Sequence, residues 1–174
     1  IPIRDDYQLD LDQLPRLITN RTKMVAVTAV SNVLGTINPI RLIADAAHQA
    51  GSLILVDAAQ AVPHGPLDAG AMDAYFIVFS GHKMLGPTGV GVLYGKRAIL
   101  EAMPPFLGGG GMIQSVTREG FLPAELPHRF EAGTPPAVEA IAMRPAIEYL
   151  NSIGGAELLA HERRLVLRAW LLYT

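Results

Sequence analysis

Short apolar runs, separated by a segment of helix length, are the feature that most constrains the fold of this chain. Residues 24–29 and 53–56 are apolar runs of strand length, and residues 40–50 between them carry apolar positions at helical spacing. Gly51 follows at the position where glycine commonly ends a helix. A strand, a helix and a second strand in this order are typical of a right-handed crossover. The sequence therefore predicts an α/β fold with a mostly parallel sheet and flanking helices.

The rest of the chain continues this pattern and then changes. Residues 74–79 and 90–94 are further apolar runs that predict two more strands. Residues 104–127 are rich in glycine and proline, so we expect a long irregular excursion there. Two helices are expected after it, at 138–150 and 156–173, with two glycines between them.

Composition excludes several classes of protein. The chain has 174 residues, about the size of one domain, and half of them are hydrophobic, which excludes a disordered protein. A formal net charge of −2 supplies no basic surface for nucleic acid or an anionic membrane. Cysteine is absent, which excludes disulfides, a zinc–thiolate site and a cysteine nucleophile within these residues. The histidines show no ligand-like spacing, so no metal is expected.

Neither a membrane span nor an export signal is recognised in the sequence. The longest apolar stretches, 24–30 and 52–56, are far shorter than the roughly 20 residues that a spanning helix needs. The chain begins with Ile1 and lacks a basic segment followed by an apolar core. We therefore expect a cytoplasmic protein, of which these residues are a segment.

Polar residues follow the predicted strands at the points where open α/β sheets bind ligands. Asp57 ends the second strand, and Gln60 comes shortly after it. Ser80, His82 and Lys83 follow the third strand. A lysine amine forms a Schiff base with an aldehyde cofactor in a partly desolvated cleft.

Pyridoxal phosphate (PLP) is an aldehyde cofactor that needs three kinds of group from its protein. It needs an amine, an anion beside its pyridine nitrogen, and donors for its phosphate. Lys83 supplies the amine and Asp57 the anion. Ser80 and His82 supply the donors for the phosphate, and Gln60 is a donor for the ring oxygen.

Structural roles remain open for several of these residues. Asp57 can cap the turn after its strand, and Lys83 can lie on the solvated surface. The side chains of Ser80 and His82 can satisfy the turn at the end of the third strand.

Two further residues and a glycine run have similar alternatives. Asn32 follows the first strand, where asparagine often forms a local turn. Thr134 precedes two prolines and can cap the helix that follows them. The four glycines at 108–111 lack the lysine of a phosphate-binding loop, so we expect a flexible loop.

Five ordered motifs give the sequence a family resemblance. They are VSNVLGT at 30–36, VDAAQA at 56–61, FSGHK at 79–83, GPTGVGVLY at 86–94 and FEAGTP at 130–135. Together they resemble the core of the class V aminotransferase superfamily of PLP enzymes, most closely the group II cysteine desulfurases and selenocysteine lyases. The resemblance covers most of the chain, and it implies the central part of the large domain of PLP fold type I.

The resemblance implies a role for each strand-end residue. Lys83 would hold PLP as a Schiff base and move the substrate proton after its release. Asp57 would pair with the pyridine nitrogen, and Gln60 would contact the ring oxygen. Ser80 and His82 would bind the phosphate.

The resemblance extends to residues outside this group. Asn32 would lie beside the cofactor and the substrate carboxylate. In similar enzymes the segment that contains Thr134 lies near the phosphate of the neighbouring subunit, which implies a homodimer with shared sites. Residues 1–150 would be part of the PLP-binding large domain, and residues 151–174 would lead as a helix towards a C-terminal domain.

The activity that the resemblance implies is cysteine desulfuration. L-cysteine becomes L-alanine, and the sulfur passes to a cysteine of the enzyme and then to a sulfur-acceptor protein, for example for iron–sulfur clusters. Selenocysteine lyase, or another class V aminotransferase or epimerase, is the alternative activity.

Similar proteins are longer than this chain at both ends. Their N-terminal part holds a phosphate-binding turn and a histidine that stacks on the cofactor. Their C-terminal part holds a carboxylate-binding arginine and the sulfur-accepting cysteine. Because this chain contains no cysteine, we expect it to be inactive alone, and a catalytically inert truncated fragment is a further alternative.

Overall fold

A four-stranded sheet lies at the centre of the structure, a computed structural model that describes residues 1–173. The strands are β1 (Met24–Thr28), β2 (Leu53–Asp57), β3 (Phe76–Ser80) and β4 (Gly91–Gly95). They lie in the order β1–β2–β3–β4, the first three parallel and the fourth antiparallel to β3. The α-helices are α1 (Leu14–Leu17), α2 (Ile40–Gln49), α3 (Ala69–Met72), α4 (Arg97–Ala102), α5 (Ala137–Ile153) and α6 (Gly155–Tyr173). The predicted α/β fold with a mostly parallel sheet is confirmed.

Strand register places the end of β2 between its two neighbours. Asp57 pairs with Thr28 of β1 on one side and with Val78 of β3 on the other. Ile54 and Val56 of β2 are fully buried, whereas Asp57 at the strand end is exposed. The alternation along β2 therefore buries the apolar residues and leaves the carboxylate accessible.

Helix α2 forms the main core with the sheet. Ile43 and Ala47 of α2 are fully buried, and they belong to one apolar cluster with Ile54 and Val56 of β2. The spacing of the buried residues in α2 is that of one helix face. Gly51 follows the helix with a φ of +69°, a conformation that favours glycine, so the predicted helix end is confirmed.

Residues 104–127 contain a hairpin that the sequence analysis did not predict. Strands β5 (Ile113–Val116) and β6 (Phe121–Pro123) pair antiparallel. The N–H of Thr117 donates to the carbonyl oxygen of Gly120 at 2.8 Å and closes the turn between them. The expectation of an irregular excursion is wrong for these residues, because each strand is too short for its alternation to stand out.

Helices α5 and α6 are separated by a single residue. Gly154 stands between them, and Gly155 is already the first residue of α6, so the expected linker of two glycines is wrong by one. Nδ1 of His64 lies 2.8 Å from Oε1 of Glu162, which joins α6 to the turn after β2. Within residues 1–173, no helix combines the length and apolarity that crossing a membrane requires.

Candidate active site

The ends of β1, β2 and β3 form one edge of the sheet, because the three strands are parallel. We call this the carboxyl edge, and it consists of residues 29–36, 57–60 and 80–90. Six of the seven predicted site residues lie on it, namely Asn32, Asp57, Gln60, Ser80, His82 and Lys83. Ligands of open α/β sheets bind at this edge.

The two carboxylate oxygens of Asp57 have different surroundings. Oδ1 accepts a hydrogen bond from the N–H of Ala59 at 2.9 Å, so the turn-capping role considered for Asp57 is present. Oδ2 makes no hydrogen bond to any residue in the described part of the chain, and the residue is exposed. One oxygen therefore holds the carboxylate in place, and the other is left for a ligand.

Gln60 and Asn32 contact each other across the carboxyl edge. Nε2 of Gln60 donates to Oδ1 of Asn32, which joins the loop after β2 to the loop after β1. The local turn considered for Asn32 is formed by its neighbour instead. The hydroxyl of Ser31 accepts hydrogen bonds from the N–H groups of Val33 and Leu34, at 3.3 and 3.1 Å. Sequence analysis did not single out Ser31, although serine commonly forms such turns.

Lys83 lies on a single 3₁₀ turn, Gly81–Met84, directly after β3. Backbone hydrogen bonds close this segment. The N–H of Gly81 donates to the carbonyl oxygen of Val90, and the N–H of Gly86 donates to the carbonyl oxygen of Gly81, both at 2.9 Å. Backbone hydrogen bonds within this segment therefore hold the turn closed without a hydrogen bond from a side chain.

The side chains on this turn have no hydrogen-bond partner in the protein. Ser80, His82 and Lys83 make no side-chain hydrogen bond to any of residues 1–173, and Ser80 does not cap the turn. Ser80 and Lys83 are half-buried, and His82 is exposed. The structural role considered for Ser80 and His82 is not observed, and a hydroxyl, an imidazole and an amine are left for a ligand.

Thr134 lies in a segment outside the carboxyl edge and is exposed. The N–H of Gly133 donates to the carbonyl oxygen of Gly110 at 2.8 Å, so the glycine run lies against this segment. Helix α5 begins after Pro136 without a side-chain cap, and the capping role considered for Thr134 is not observed. No side-chain hydrogen bond joins Thr134 to another described residue.

The polar groups of the carboxyl edge fit PLP by their chemistry. A free amine at Lys83 and a carboxylate oxygen without a partner at Asp57 suit an aldehyde and a pyridine nitrogen. The hydroxyl of Ser80 and the ring of His82 suit a phosphate. Within residues 1–173 these groups do not pair with one another, so each is available to the cofactor.

Comparison with known proteins decides the family. The sequence matches the aminotransferase class-V family over residues 1–170. The chain belongs to this family. The family resemblance that the five motifs suggested is therefore confirmed.

Curated relatives of this class V chain are named as cysteine desulfurases. A probable cysteine desulfurase of Streptomyces coelicolor is 51% identical over 163 residues, which are 94% of this chain and 39% of that protein. The cysteine desulfurase of Haloferax volcanii is 52% identical over 165 residues, which are 95% of this chain and 39% of that protein. The chain thus spans about two fifths of the length of these relatives.

Solved structures agree with the sequence comparison. The cysteine desulfurase CsdA of Escherichia coli matches with a TM-score of 0.86 and 42% identity, over 90% of this chain and 39% of that one. The apo cysteine desulfurase of Thermococcus onnurineus matches with a TM-score of 0.90 and 38% identity, over 97% and 42%. The class V family and its cysteine desulfurases are PLP enzymes, so the cofactor and the fold expected from the resemblance are both confirmed.

Proposed function

We propose that the protein containing this chain is a cysteine desulfurase, which converts L-cysteine to L-alanine. The observation that carries the proposal is the free amine of Lys83 on the same sheet edge as the free carboxylate oxygen of Asp57. Identities of 51% and 52% with proteins named as cysteine desulfurases favour this activity over selenocysteine lyase, aminotransferase or epimerase activity.

The central residues of the mechanism are Lys83 and Asp57. When bound, PLP supplies an aldehyde for the substrate amine and a ring that withdraws electrons from the substrate α-carbon. Nζ of Lys83 would hold the cofactor at this aldehyde and, once free of it, would take the proton from the substrate α-carbon. The carboxylate of Asp57 would keep the pyridine nitrogen protonated through the oxygen that Ala59 leaves free.

The remaining residues of the carboxyl edge would bind and orient the cofactor and the substrate. Ser80 and His82 would donate hydrogen bonds to the phosphate. Nε2 of Gln60 has two hydrogens, so it donates one to Asn32 and keeps one for the ring oxygen. The amide nitrogen of Asn32 is left to bind the substrate carboxylate, and its contact with Gln60 orients both amides together.

Sulfur transfer requires a thiol that these residues do not contain, since the chain has no cysteine. The thiolate of an enzyme cysteine outside this chain attacks the substrate sulfur. A sulfur–sulfur bond forms, the carbon–sulfur bond breaks, and its electron pair stays on the substrate β-carbon, which takes a proton. Lys83 returns to the α-carbon the proton that it took, and the result is alanine. The products are L-alanine and a persulfide on the enzyme.

We extend the proposal to the assembly. The protein is a cytoplasmic homodimer in which Thr134 contacts the phosphate at the neighbouring subunit's site, and it supplies sulfur to an acceptor protein, for example for iron–sulfur clusters. Residues 1–150 belong to the PLP-binding domain, and 151–174 lead to a further domain. The exposure of Thr134, on a segment held against the glycine run, supports the shared site.

Borohydride trapping tests the proposal. The intact protein is incubated with PLP, reduced, digested and analysed by mass spectrometry, and we expect the modified peptide to contain Lys83. The exposed Lys23 serves as the control position, so Lys23→Ala should leave the modification unchanged. With L-cysteine and a reductant, the intact protein should release alanine and sulfide in equal amounts. Modification of another lysine, or a keto acid in place of alanine, would contradict the proposal.

A further inference from the structure

Helix α5 packs against the turn that carries Lys83, and the side chain of Met143 reaches the glycines of this segment. Met143 of α5 is buried, with 7% of its surface exposed. Its sulfur lies against the α-carbons of Gly81, which begins the turn, and Gly86, which follows it. A methyl group built on Gly81 would lie 2.6 Å from the sulfur of Met143, and one built on Gly86 would lie 2.5 Å from it. The thioether therefore occupies the space where two side chains would otherwise stand.

The burial of Met143 is not explained by the main core. That cluster lies between the sheet and α2, and Met143 is not a member of it. Among the residues of α5, Met143 and Ala146 are the buried ones, and most of the helix is exposed. The contact with the two glycines therefore accounts for the burial of Met143 on a helix that is otherwise mostly exposed.

The end of the turn has a backbone conformation that contacts with the rest of the protein have to stabilise. Leu85, which ends the turn, has a φ of +65°, and it is 62% exposed. A non-glycine residue in this region carries a conformational cost that the surrounding structure has to offset. The closed hydrogen bonds of the turn and the close packing of Met143 together hold it in this conformation.

We propose that Met143 is a positioning residue for Lys83. By filling the space beside Gly81 and Gly86, it holds the turn in the one arrangement that presents Nζ of Lys83 to the aldehyde. The inference rests on the proposed function, because it assigns Lys83 the role of binding PLP. An unbranched thioether suits this place, since it can extend between two α-carbons where a β-branched side chain cannot.

The experiment follows the rate at which Lys83 binds PLP in the intact protein. Wild type, Met143→Ala, Met143→Leu and Met143→Ile are mixed with excess PLP and quenched with borohydride at intervals, and the modified Lys83 peptide is quantified. Leu14→Ala is the control, because Leu14 is also buried, with 3% of its surface exposed, but belongs to the main core. The visible circular dichroism of bound PLP is recorded for each variant, and far-ultraviolet spectra establish that the compared samples are folded.

We expect Met143→Ala to bind PLP at Lys83 about tenfold more slowly, with a weaker visible circular dichroism signal, because the turn is no longer held. Met143→Leu should stay within about twofold of wild type, since it keeps the volume and the unbranched β-carbon. Met143→Ile, of equal volume but branched at that carbon, should resemble Met143→Ala. Leu14→Ala should lose stability but bind at the wild-type rate when folded.

The experiment distinguishes failure of the positioning role from failure of the proposed function. If wild type binds PLP at Lys83 and the alanine and isoleucine variants do so equally fast, with unchanged spectra, the positioning role is wrong. If Met143→Ala does not fold, equal rates for the leucine and isoleucine variants overturn it in the same way. If wild type itself is not modified at Lys83, the proposed function fails and this inference fails with it.

Discussion

The two edges of the sheet hold the same kinds of charged residue and use them differently. At the carboxyl edge, Lys83 and Asp57 do not pair with each other. At the opposite edge, which consists of His48, Asp73, Tyr75 and Lys96, Nζ of Lys96 donates to Oδ1 of Asp73 at 2.6 Å. One lysine is left for a ligand, and the other is committed to a contact within the protein.

Further contacts complete the opposite edge. Nζ of Lys96 lies 4.5 Å from the ring centroid of Tyr75, and the ring of His48 packs edge-on against the same ring at 5.2 Å. Nδ1 of His48 lies 3.4 Å from Oδ2 of Asp73. The hydrogen bond from Lys96 lowers the pKa of Asp73 below its ordinary value of 3.8. The charges of the opposite edge satisfy one another and hold elements together, whereas Lys83 and one oxygen of Asp57 have no partner among the described residues.

Replacing each of the two lysines by alanine tests this comparison, and it gives the largest expected effect. Lys83→Ala should abolish covalent PLP binding and lower turnover by about ten thousandfold, because the amine and the proton carrier are both lost. Lys96→Ala should retain both properties but lower the melting temperature by about 3 °C, because the contacts with Asp73 and Tyr75 are lost. Mass spectrometry, steady-state rates and thermal denaturation measure these effects. Loss of PLP binding in Lys96→Ala would remove the distinction between the edges.

Replacing the carboxylate of Asp57 gives the second largest expected effect, a loss of turnover. Asp57→Asn keeps the shape of the side chain and its hydrogen bond with Ala59 but cannot keep the pyridine nitrogen protonated. We expect turnover to fall by about a thousandfold while PLP still binds. Asp57→Glu is the matched control and should recover part of the rate. Near-normal turnover in Asp57→Asn would show that this oxygen does not serve the cofactor.

The amide pair gives a smaller effect that is specific to the substrate. Asn32→Ala removes one substrate contact and frees Gln60, so we expect KM for L-cysteine to rise about tenfold with a smaller change in kcat. Ser31→Ala loosens the same loop without removing the amide and should raise KM less. A fall in kcat at constant KM would place Asn32 in the chemical step instead.

The smallest expected effect is a pH-dependent change in stability from Asp73 at the opposite edge. Because folding lowers the pKa of Asp73, the stabilisation is fully present above the pKa of the unfolded state and is lost as the pH falls through the lower folded value. Asp73→Asn lacks this contribution, so wild type should melt at the higher temperature near neutral pH. The difference should shrink as the solution is acidified below about pH 4. A difference that stays constant with pH would mean that the charge of Asp73 is not responsible.

The local sequence pattern was sufficient to predict the strands of the sheet and to locate most of the candidate site residues. Apolar runs located the four strands. Asp57 stood out because it follows one run directly, and Lys83 because it lies four residues after the end of the next. The exact strand ends differed by one or two residues, since hydrogen bonds rather than hydropathy set them.

Contacts between distant residues were not predictable in this way. The hydrogen bond from Gln60 to Asn32 joins two loops, and the pair formed by His64 and Glu162 joins residues 98 positions apart. The burial of Met143 depends on two glycines that hydropathy alone does not distinguish from other loop glycines. Each of these contacts depends on how elements pack, which no local pattern encodes.

The antiparallel direction of β4 has a consequence for the order in which the site assembles. Ser80 pairs with Gly91, so the chain leaves and re-enters the sheet at the same edge within a short loop. A parallel strand would have required a crossover of about a dozen residues or more to the other edge. Closing the loop of ten residues between β3 and β4 costs less entropy than pairing residues far apart in sequence, so we expect this hairpin, which carries Lys83, to form early. Its support from α5 comes from much further along the polypeptide, and the hairpin would await that support before the amine is fixed.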